Sequence, residues 1–113
     1  QTYAGVLEID PEWVAEHLGE ICVLDVREAG EANERLGGEA SGCIAGALCI
    51  PLGELAARAG ELPGDRPLVA VCHSGTRSAQ ATAILRAAGF ARVANLHGGL
   101  LRWRQLGLPT SRG

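Results

Sequence analysis

The chain contains no lysine and no methionine, and all ten of its basic residues are arginine. The lack of lysine excludes Schiff-base catalysis by a lysine and also the phosphate-binding P-loop, whose motif requires one. Because the chain starts at Gln1 and has no methionine, we expect a processed, trimmed or excised product, from which a targeting segment could already have been removed. No signal-peptide pattern is visible, and no apolar run approaches the length of a membrane span.

Net charge and cysteine spacing argue against two further classes of protein. The formal net charge is −3, whereas a nucleic-acid-binding domain normally carries a basic patch. The four cysteines, Cys22, Cys43, Cys49 and Cys72, form no C-x-x-C pair of the kind found in redox and zinc sites. We therefore expect reduced thiols in a cytoplasmic setting, with Cys22 buried as a small apolar residue, and we predict neither a metal site nor a cofactor.

Apolar runs and turn residues predict a single α/β domain over residues 1–113. Asp10 and Pro11 mark the start of a first helix that Gly19 ends. Residues 29–42 are polar and glycine-rich, which indicates a long loop with one helical turn at 32–36. Strands that alternate with helices predict a parallel sheet covered on both faces. The other predicted elements are helices at 52–59, 78–88 and 100–106, and strands at 21–24, 47–50, 68–71 and 93–96.

The segment from residue 68 to residue 89 carries the strongest functional signal. Four apolar residues lead directly into Cys72, a short polar loop follows, and a helical pattern begins after Arg77. In open α/β sheets, ligands bind at the carboxyl ends of the strands, which is where this order places the cysteine. A helix N-terminus and a neighbouring guanidinium both favour a thiolate over a thiol. The segment therefore predicts a nucleophilic Cys72 and an anionic reactant.

The residues after Cys72 have the properties of an anion-binding loop. Gly75 allows a backbone angle that other residues avoid, so the N–H groups of the loop can point inward. Arg77 adds a permanent charge with forked donors. His73 is not assigned as a general base, since its side chain can face solvent. The alternative is a buried cysteine beside an ordinary surface loop. The small hydroxyl donors of the loop are Ser74, Thr76 and Ser78.

Four motifs in register resemble those of the rhodanese-like sulfurtransferase family, and together they cover nearly all of the chain. They are LDVRE at 24–28, GCIAGALCIP at 42–51, CHSGTRS at 72–78 and LHGGLLRWRQLGLP at 96–109. The resemblance implies a doubly wound, three-layer domain with about five parallel strands, like that of single-domain thiosulfate sulfurtransferases. It also implies that Cys72 takes sulfur from thiosulfate or another sulfane donor, holds it as a persulfide, and passes it to a thiol or to cyanide with ping-pong kinetics.

The length of the active-site loop separates two chemistries within this fold. Phosphatases and arsenate reductases have one more residue between cysteine and arginine, which makes the loop wide enough for a tetrahedral oxyanion. Here four residues lie between Cys72 and Arg77, as in the sulfur-transferring members. A phosphatase or arsenate reductase is therefore the less favoured alternative. A second alternative is a regulatory module or a sulfur-relay module whose partner is another protein.

Two cysteines depart from the family pattern, and two charged residues lie near the expected site. Cys43 stands where histidine is usual, so it is either a neutral replacement or a second thiol that accepts sulfur from Cys72 or forms a disulfide with it. Cys49 stands where asparagine is common and is expected to be buried in a strand. Asp25 and Arg27 follow the first predicted strand and either shape the pocket or form a structural ion pair.

The remaining features have weaker functional interpretations. The loop at 29–42 is longer than usual in the family. It either determines a preference for a partner or substrate, or it is a solvated loop with no such role. Trp13 and Trp103 are expected in the core. His17 is expected on the surface, and His97 in a structural role.

Overall fold

The computed structural model describes residues 2–3, 6–27, 35–36, 39–40, 44 and 47–108 of the chain. Its strands are β1 (Thr2–Tyr3), β2 (Val6–Ile9), β3 (Cys22–Asp25), β4 (Arg35–Leu36), β5 (Glu39–Ala40), β6 (Leu48–Cys49), β7 (Leu68–Val71) and β8 (Val93–Leu96). Its helices are α1 (Pro11–Glu16), α2 (Leu52–Arg58), α3 (Thr76–Ala87) and α4 (Gly99–Gln105), with a 3-10 helix at Ala59–Glu61. None of the helices in this part of the chain is long and apolar enough to span a membrane.

The main sheet has the strand order β1-β2-β8-β7-β3-β6. The five strands β2, β8, β7, β3 and β6 are parallel, and β1 adds an antiparallel edge. β7 lies between β3 and β8, with Val71 beside Asp25 and Ala70 beside Asn95. The carboxyl ends of these three strands therefore meet at one edge, and Cys72 follows the middle strand. The predicted α/β architecture with about five parallel strands is confirmed.

Alternate side chains along the buried strands build a core on each face of the sheet. Every residue of β3, β7 and β8 is buried, which explains why these strands are mostly continuous apolar runs in the sequence. The even-numbered residues of β7 share one core with side chains of α2 and α3, among them Leu55, Ala81 and Leu85. Its odd-numbered residues share the other core with side chains of α1 and α4, among them Val14, Leu100 and Trp103.

Several predicted elements need correction. The first nine residues carry no predicted element, yet β1 and β2 form there because β2 pairs with β8, a contact that no local pattern reveals. The helical turn predicted at 32–36 is wrong at 35–36, because β4 pairs with β5. The first helix ends at Glu16 instead of Gly19, where the chain enters a turn, and Asp10 takes the N-cap position without a side-chain capping hydrogen bond. The other predicted helices and strands agree within two residues at each end.

Burial confirms two of the predicted core residues and contradicts two others. Trp103 is completely buried, and Cys22 is buried at the start of β3. Trp13 is 41% exposed, and its ring stacks on that of His17 with 3.9 Å between centroids. Cys49 is exposed because β6 is a two-residue strand at the edge of the sheet. Cys43 and most of the loop at 29–42 lie outside the described residues, so their predicted roles stay predictions.

Candidate active site

Cys72 lies between the end of β7 and the start of α3, and its side chain is only 1% exposed. The chain turns at Gly75, whose φ of +106° is in the region that favours glycine. Because of this turn, α3 begins at Thr76, two residues earlier than the sequence predicts. Arg77 and Ser78 therefore belong to the first turn of the helix and not to a loop that precedes it.

Two backbone N–H groups converge on the sulfur of Cys72. The nitrogen of Gly75 lies 3.1 Å from Sγ, and the nitrogen of Ser78 lies 3.3 Å from it. The Ser78 N–H can point outward because the first N–H groups of a helix have no carbonyl partner within that helix. Main-chain donors grouped in this way, at the positive end of a helix, stabilise negative charge on the sulfur.

The carbonyl side of the same loop is held by α4. Leu100 N–H donates to the Cys72 carbonyl at 2.9 Å, and Leu101 N–H donates to the His73 carbonyl at 3.0 Å. Gly99 allows this close approach, since its φ is +61° and a Cβ there would lie 2.7 Å from both carbonyl oxygens. The first turns of two helices therefore fix the loop, α3 from the sulfur side and α4 from the carbonyl side.

The side chains predicted to form the loop differ in their exposure. Gly75 and Ser78 are buried, whereas His73 and Arg77 are half-buried. Ser74 and Thr76 are exposed, and they help to line a hollow of about 190 Å³ beside the loop. The loop therefore presents small polar side chains to solvent while its main chain faces the sulfur. The rest of the hollow is lined by Glu8, Gly75, His97 and Gly98.

Residues 10–106 match the family described as the rhodanese-like domain. This chain belongs to that family. A sulfurtransferase of Allochromatium vinosum is 38% identical over 107 residues, which covers 92% of this chain and 94% of that protein. The thiosulfate sulfurtransferase GlpE of Shewanella oneidensis is 34% identical over 83 residues, or 74% of this chain and 75% of that protein.

Two more similarities bear on fold and function. The putative sulfur carrier protein YrkF of Bacillus subtilis is 37% identical over 81 residues, which is 72% of this chain but 40% of that longer protein. The crystal structure of a rhodanese-related protein from Thermoplasma volcanium has a TM-score of 0.84 at 29% identity, covering 95% of this chain and 99% of that one. The chain is thus a transferase of the rhodanese family, and its relatives support sulfur transfer as the general activity.

A buried polar network adjoins the sulfur of this rhodanese-like domain, and the sequence does not predict it. Ser78 Oγ lies 3.4 Å from Cys72 Sγ and also makes a short hydrogen bond with Asn95 Oδ1. Asn95 Nδ2 donates to Glu8 Oε2 at 2.9 Å and to the Gly75 carbonyl at 3.2 Å. The signal for Asn95 is an amide inside an otherwise apolar buried strand, because such groups need partners. Glu8 has no comparable signal, since β2 itself is not predicted.

The far end of the network reaches the protein surface at His97. Its Nδ1 lies 2.8 Å from Glu8 Oε1, and the imidazole side chain is half exposed. Glu8 is 9% exposed, so its carboxylate is shared between a buried amide and a solvent-facing ring. The structural role predicted for His97 is thus its contact with Glu8 of β2.

Asp25 and Arg27 form a buried ion pair at the same edge of the sheet. Arg27 donates from Nε to Asp25 Oδ1 at 3.0 Å and from Nη2 to Oδ2 at 2.7 Å, and its backbone N–H also bonds Oδ1. Both side chains are less than 5% exposed. Asp25 lies beside Val71, so the pair is one strand away from Cys72.

The other described thiols are in different surroundings from Cys72. Burial raises the pKa of the Cys22 thiol, and the Arg66 charge opposes this in part. A buried thiol in apolar surroundings is inert, because the thiolate is the reactive form. Cys49 is exposed at the sheet edge, and none of these three cysteines is joined in a disulfide. Within the described ranges, no three potential metal ligands cluster together.

Proposed function

We propose that this domain transfers sulfane sulfur from thiosulfate, or from a related anionic donor, to a thiol or to cyanide through a persulfide on Cys72. The observation that carries the proposal is the pair of N–H groups, from Gly75 and Ser78, aimed at Cys72 Sγ. The name of the Shewanella relative supports thiosulfate as the donor. No cofactor is part of the proposal, because the cysteine itself carries the sulfur.

In the first half-reaction, the Cys72 thiolate attacks the outer sulfur of thiosulfate. The new S–S bond forms as the bond between the two thiosulfate sulfurs breaks, and sulfite leaves with the electron pair. The total charge of −3 is unchanged, since one thiolate and one dianion become a persulfide anion and sulfite dianion. The N–H groups of the loop are in place before reaction and stabilise the sulfur charge without rearranging. Arg77 in the first turn of α3 supplies positive charge for binding the dianion.

In the second half-reaction, an acceptor attacks the outer sulfur of the persulfide. Cyanide would leave as thiocyanate, and a thiolate would leave as a new persulfide, while Cys72 recovers its electron pair as a thiolate. Because Cys72 is only 1% exposed, the acceptor meets the outer sulfur of the persulfide at the mouth of the loop and not Sγ itself. Two half-reactions at one atom predict ping-pong kinetics.

The test is the intact mass of the reduced protein after incubation with thiosulfate, compared among the native chain, Cys72→Ser and Cys49→Ser. We expect the native chain and Cys49→Ser to gain the mass of one sulfur atom, and cyanide to remove it as thiocyanate. Cys49→Ser is the matched control because Cys49 is an exposed thiol outside the loop. Persistence of the sulfur adduct in Cys72→Ser would assign the chemistry to another thiol. No adduct with thiosulfate or any other sulfane donor would refute the proposal.

A sulfur-relay role uses the same Cys72 persulfide and differs in its partners. The resemblance to a putative sulfur carrier protein of Bacillus subtilis is the observation that favours it. A relay predicts that a cysteine desulfurase loads Cys72, and that a protein acceptor unloads it faster than cyanide or small thiols do. The two roles are separated by measuring the persulfide lifetime with each acceptor. Hydrolysis of a generic aryl phosphate would instead favour the phosphatase alternative.

A further inference from the structure

The Ser78 hydroxyl lies within hydrogen-bond distance of two acceptors, although it has only one proton to donate. Ser78 Oγ has two neighbours, Cys72 Sγ at 3.4 Å and Asn95 Oδ1 at a short distance. A serine hydroxyl carries one proton, so it donates to one neighbour and turns a lone pair toward the other. Ser78 and Asn95 are both completely buried, so no solvent is in contact with them to resolve the competition.

The chemistry of its neighbours determines how the Asn95 amide is oriented. Nδ2 faces the Glu8 carboxylate at 2.9 Å and the Gly75 carbonyl at 3.2 Å, and neither of these groups can donate. The opposite orientation would place Oδ1 against two oxygen atoms and leave them without that donor. Oδ1 therefore faces Ser78, and as a pure acceptor it requires the Ser78 hydroxyl proton.

From this proton inventory we propose that Asn95, anchored by Glu8, is a positioning residue that withholds the Ser78 hydroxyl proton from the Cys72 sulfur. The Gly75 and Ser78 N–H groups then hold the thiolate without the Ser78 hydroxyl, although that hydroxyl lies within reach of the sulfur. The inference rests on the proposed function only in treating Cys72 as the reacting residue.

The arrangement affects the three states of Cys72 differently. A thiol can donate its S–H to the Ser78 lone pair, and a persulfide has an uncharged Sγ that needs no third donor. Only the thiolate needs the Ser78 hydroxyl proton. It either lacks that hydrogen bond or takes the proton from Asn95, which leaves the buried Oδ1 of Asn95 without a donor. Asn95 therefore disfavours the thiolate relative to the other two states. The benefit is reactivity, since a thiolate that is stabilised less is a stronger nucleophile.

The experiment measures the pH profile of Cys72 alkylation by iodoacetamide, with peptide mass spectrometry to resolve Cys72 from the other cysteines. Alkylation needs only the thiolate, so the result is independent of whether sulfur is transferred. In Asn95→Leu, which keeps the branched shape and the number of side-chain heavy atoms but has no acceptor, the hydroxyl is released to the sulfur. We expect the midpoint to fall by about one pH unit, which is an increase of about tenfold in the thiolate fraction below the midpoint. In Asn95→Leu/Ser78→Ala, the fall should disappear.

Ser78→Ala alone gives a second test that does not require the Asn95 variant to fold. If Asn95 holds the proton, removal of the hydroxyl costs the thiol only a weak S–H hydrogen bond, so the midpoint falls by less than about 0.3 pH unit. A rise of about one unit would show that the hydroxyl already serves the thiolate, and would overturn the inference. A fall in Asn95→Leu that survives the second substitution would also overturn it. Among the described residues, the charged and titratable groups at this edge of the sheet are retained in all three variants; they are Glu8, Asp25, Arg27, His73, Arg77 and His97.

Discussion

The contact between Gly99 and the active-site loop yields a sharp prediction for Gly99→Ala. The new methyl carbon would lie 2.7 Å from the carbonyl oxygens of both Cys72 and His73, and 2.8 Å from the His73 carbonyl carbon. These atoms are main chain and cannot move aside by a change of rotamer. The loop and α4 must separate, which lengthens the two hydrogen bonds that Leu100 and Leu101 donate.

The magnitude follows from two contributions. A residue with a Cβ in the left-handed region costs about 1–2 kcal/mol. Forcing an additional methyl group into a packed contact costs a further amount of about 1–3 kcal/mol. We therefore expect Gly99→Ala to lose about 2–5 kcal/mol of the free energy of unfolding, out of a total of about 5–15 kcal/mol for a domain of this kind. Sulfur loading at Cys72 should fall as well, because the loop donors move with the loop.

Gly107→Ala is the matched control for backbone strain. Gly107 has a φ of +71°, close to the +61° of Gly99, but a Cβ there would meet nothing within 4 Å. It should therefore lose only the left-handed contribution of about 1–2 kcal/mol and keep full sulfur loading. Urea denaturation measures the first quantity, and intact mass after thiosulfate treatment measures the second. Equal destabilisation by the two substitutions, with equal loading, would refute the role assigned to the Gly99 contact.

Three other outcomes follow from the site and its surroundings. Arg77→Ala should raise KM for thiosulfate about tenfold or more and change KM for an uncharged donor much less, because the guanidinium attracts the dianion. Steady-state kinetics with both donors measures the two effects. Equal increases in the two KM values would indicate that Arg77 supports the loop instead. Asp25→Ala should cost about 3–5 kcal/mol in urea denaturation, because it removes the carboxylate from a buried Arg27 guanidinium; a loss below about 1 kcal/mol would contradict this. Burial raises the pKa of the Cys22 thiol, so the native chain keeps that proton to higher pH than the unfolded chain does. The protonated thiol therefore contributes its full stability below its ordinary pKa, and this contribution is lost as the pH rises above that value. Between about pH 8 and about pH 10, the free energy of unfolding should decline less in Cys22→Ala than in the native chain. An identical decline in the two proteins would contradict the raised pKa of Cys22.

Local order explains why the position of Cys72 at the edge of the sheet can be predicted from the sequence. A buried strand, a cysteine, a glycine turn and a helix follow one another within about twenty residues, and each is signalled by its neighbours. β7 and β8 are predicted to the residue because full burial on both faces requires a nearly unbroken apolar run. The start of α3 is predicted late because the predicted loop extends through Arg77, whereas the turn at Gly75 lets the helix begin at Thr76, a residue of low helix propensity.

The polar network behind Cys72 cannot be predicted in the same way, because its residues are distant in sequence. Asn95 meets Ser78 only when β8 and α3 pack together, and Glu8 meets Asn95 only when β2 pairs with β8. The exposure of Trp13 and Cys49 also depends on position in the fold, since one lies on a short helix and the other on an edge strand. Composition and periodicity describe these two residues as apolar and do not say where the sheet ends.

The main-chain origin of the sulfur-binding donors separates reaction chemistry from substrate choice. Every residue except proline carries the same N–H group, so the exposed side chains of Ser74 and Thr76 can be exchanged while the N–H groups of Gly75 and Ser78 still face the Cys72 sulfur. In the proposed reaction, divergence at these two positions would change what approaches the outer sulfur of the persulfide without altering how that sulfur is transferred. A small number of substitutions could therefore redirect this scaffold to new donors or acceptors, and a library restricted to positions 74 and 76 would sample that range directly.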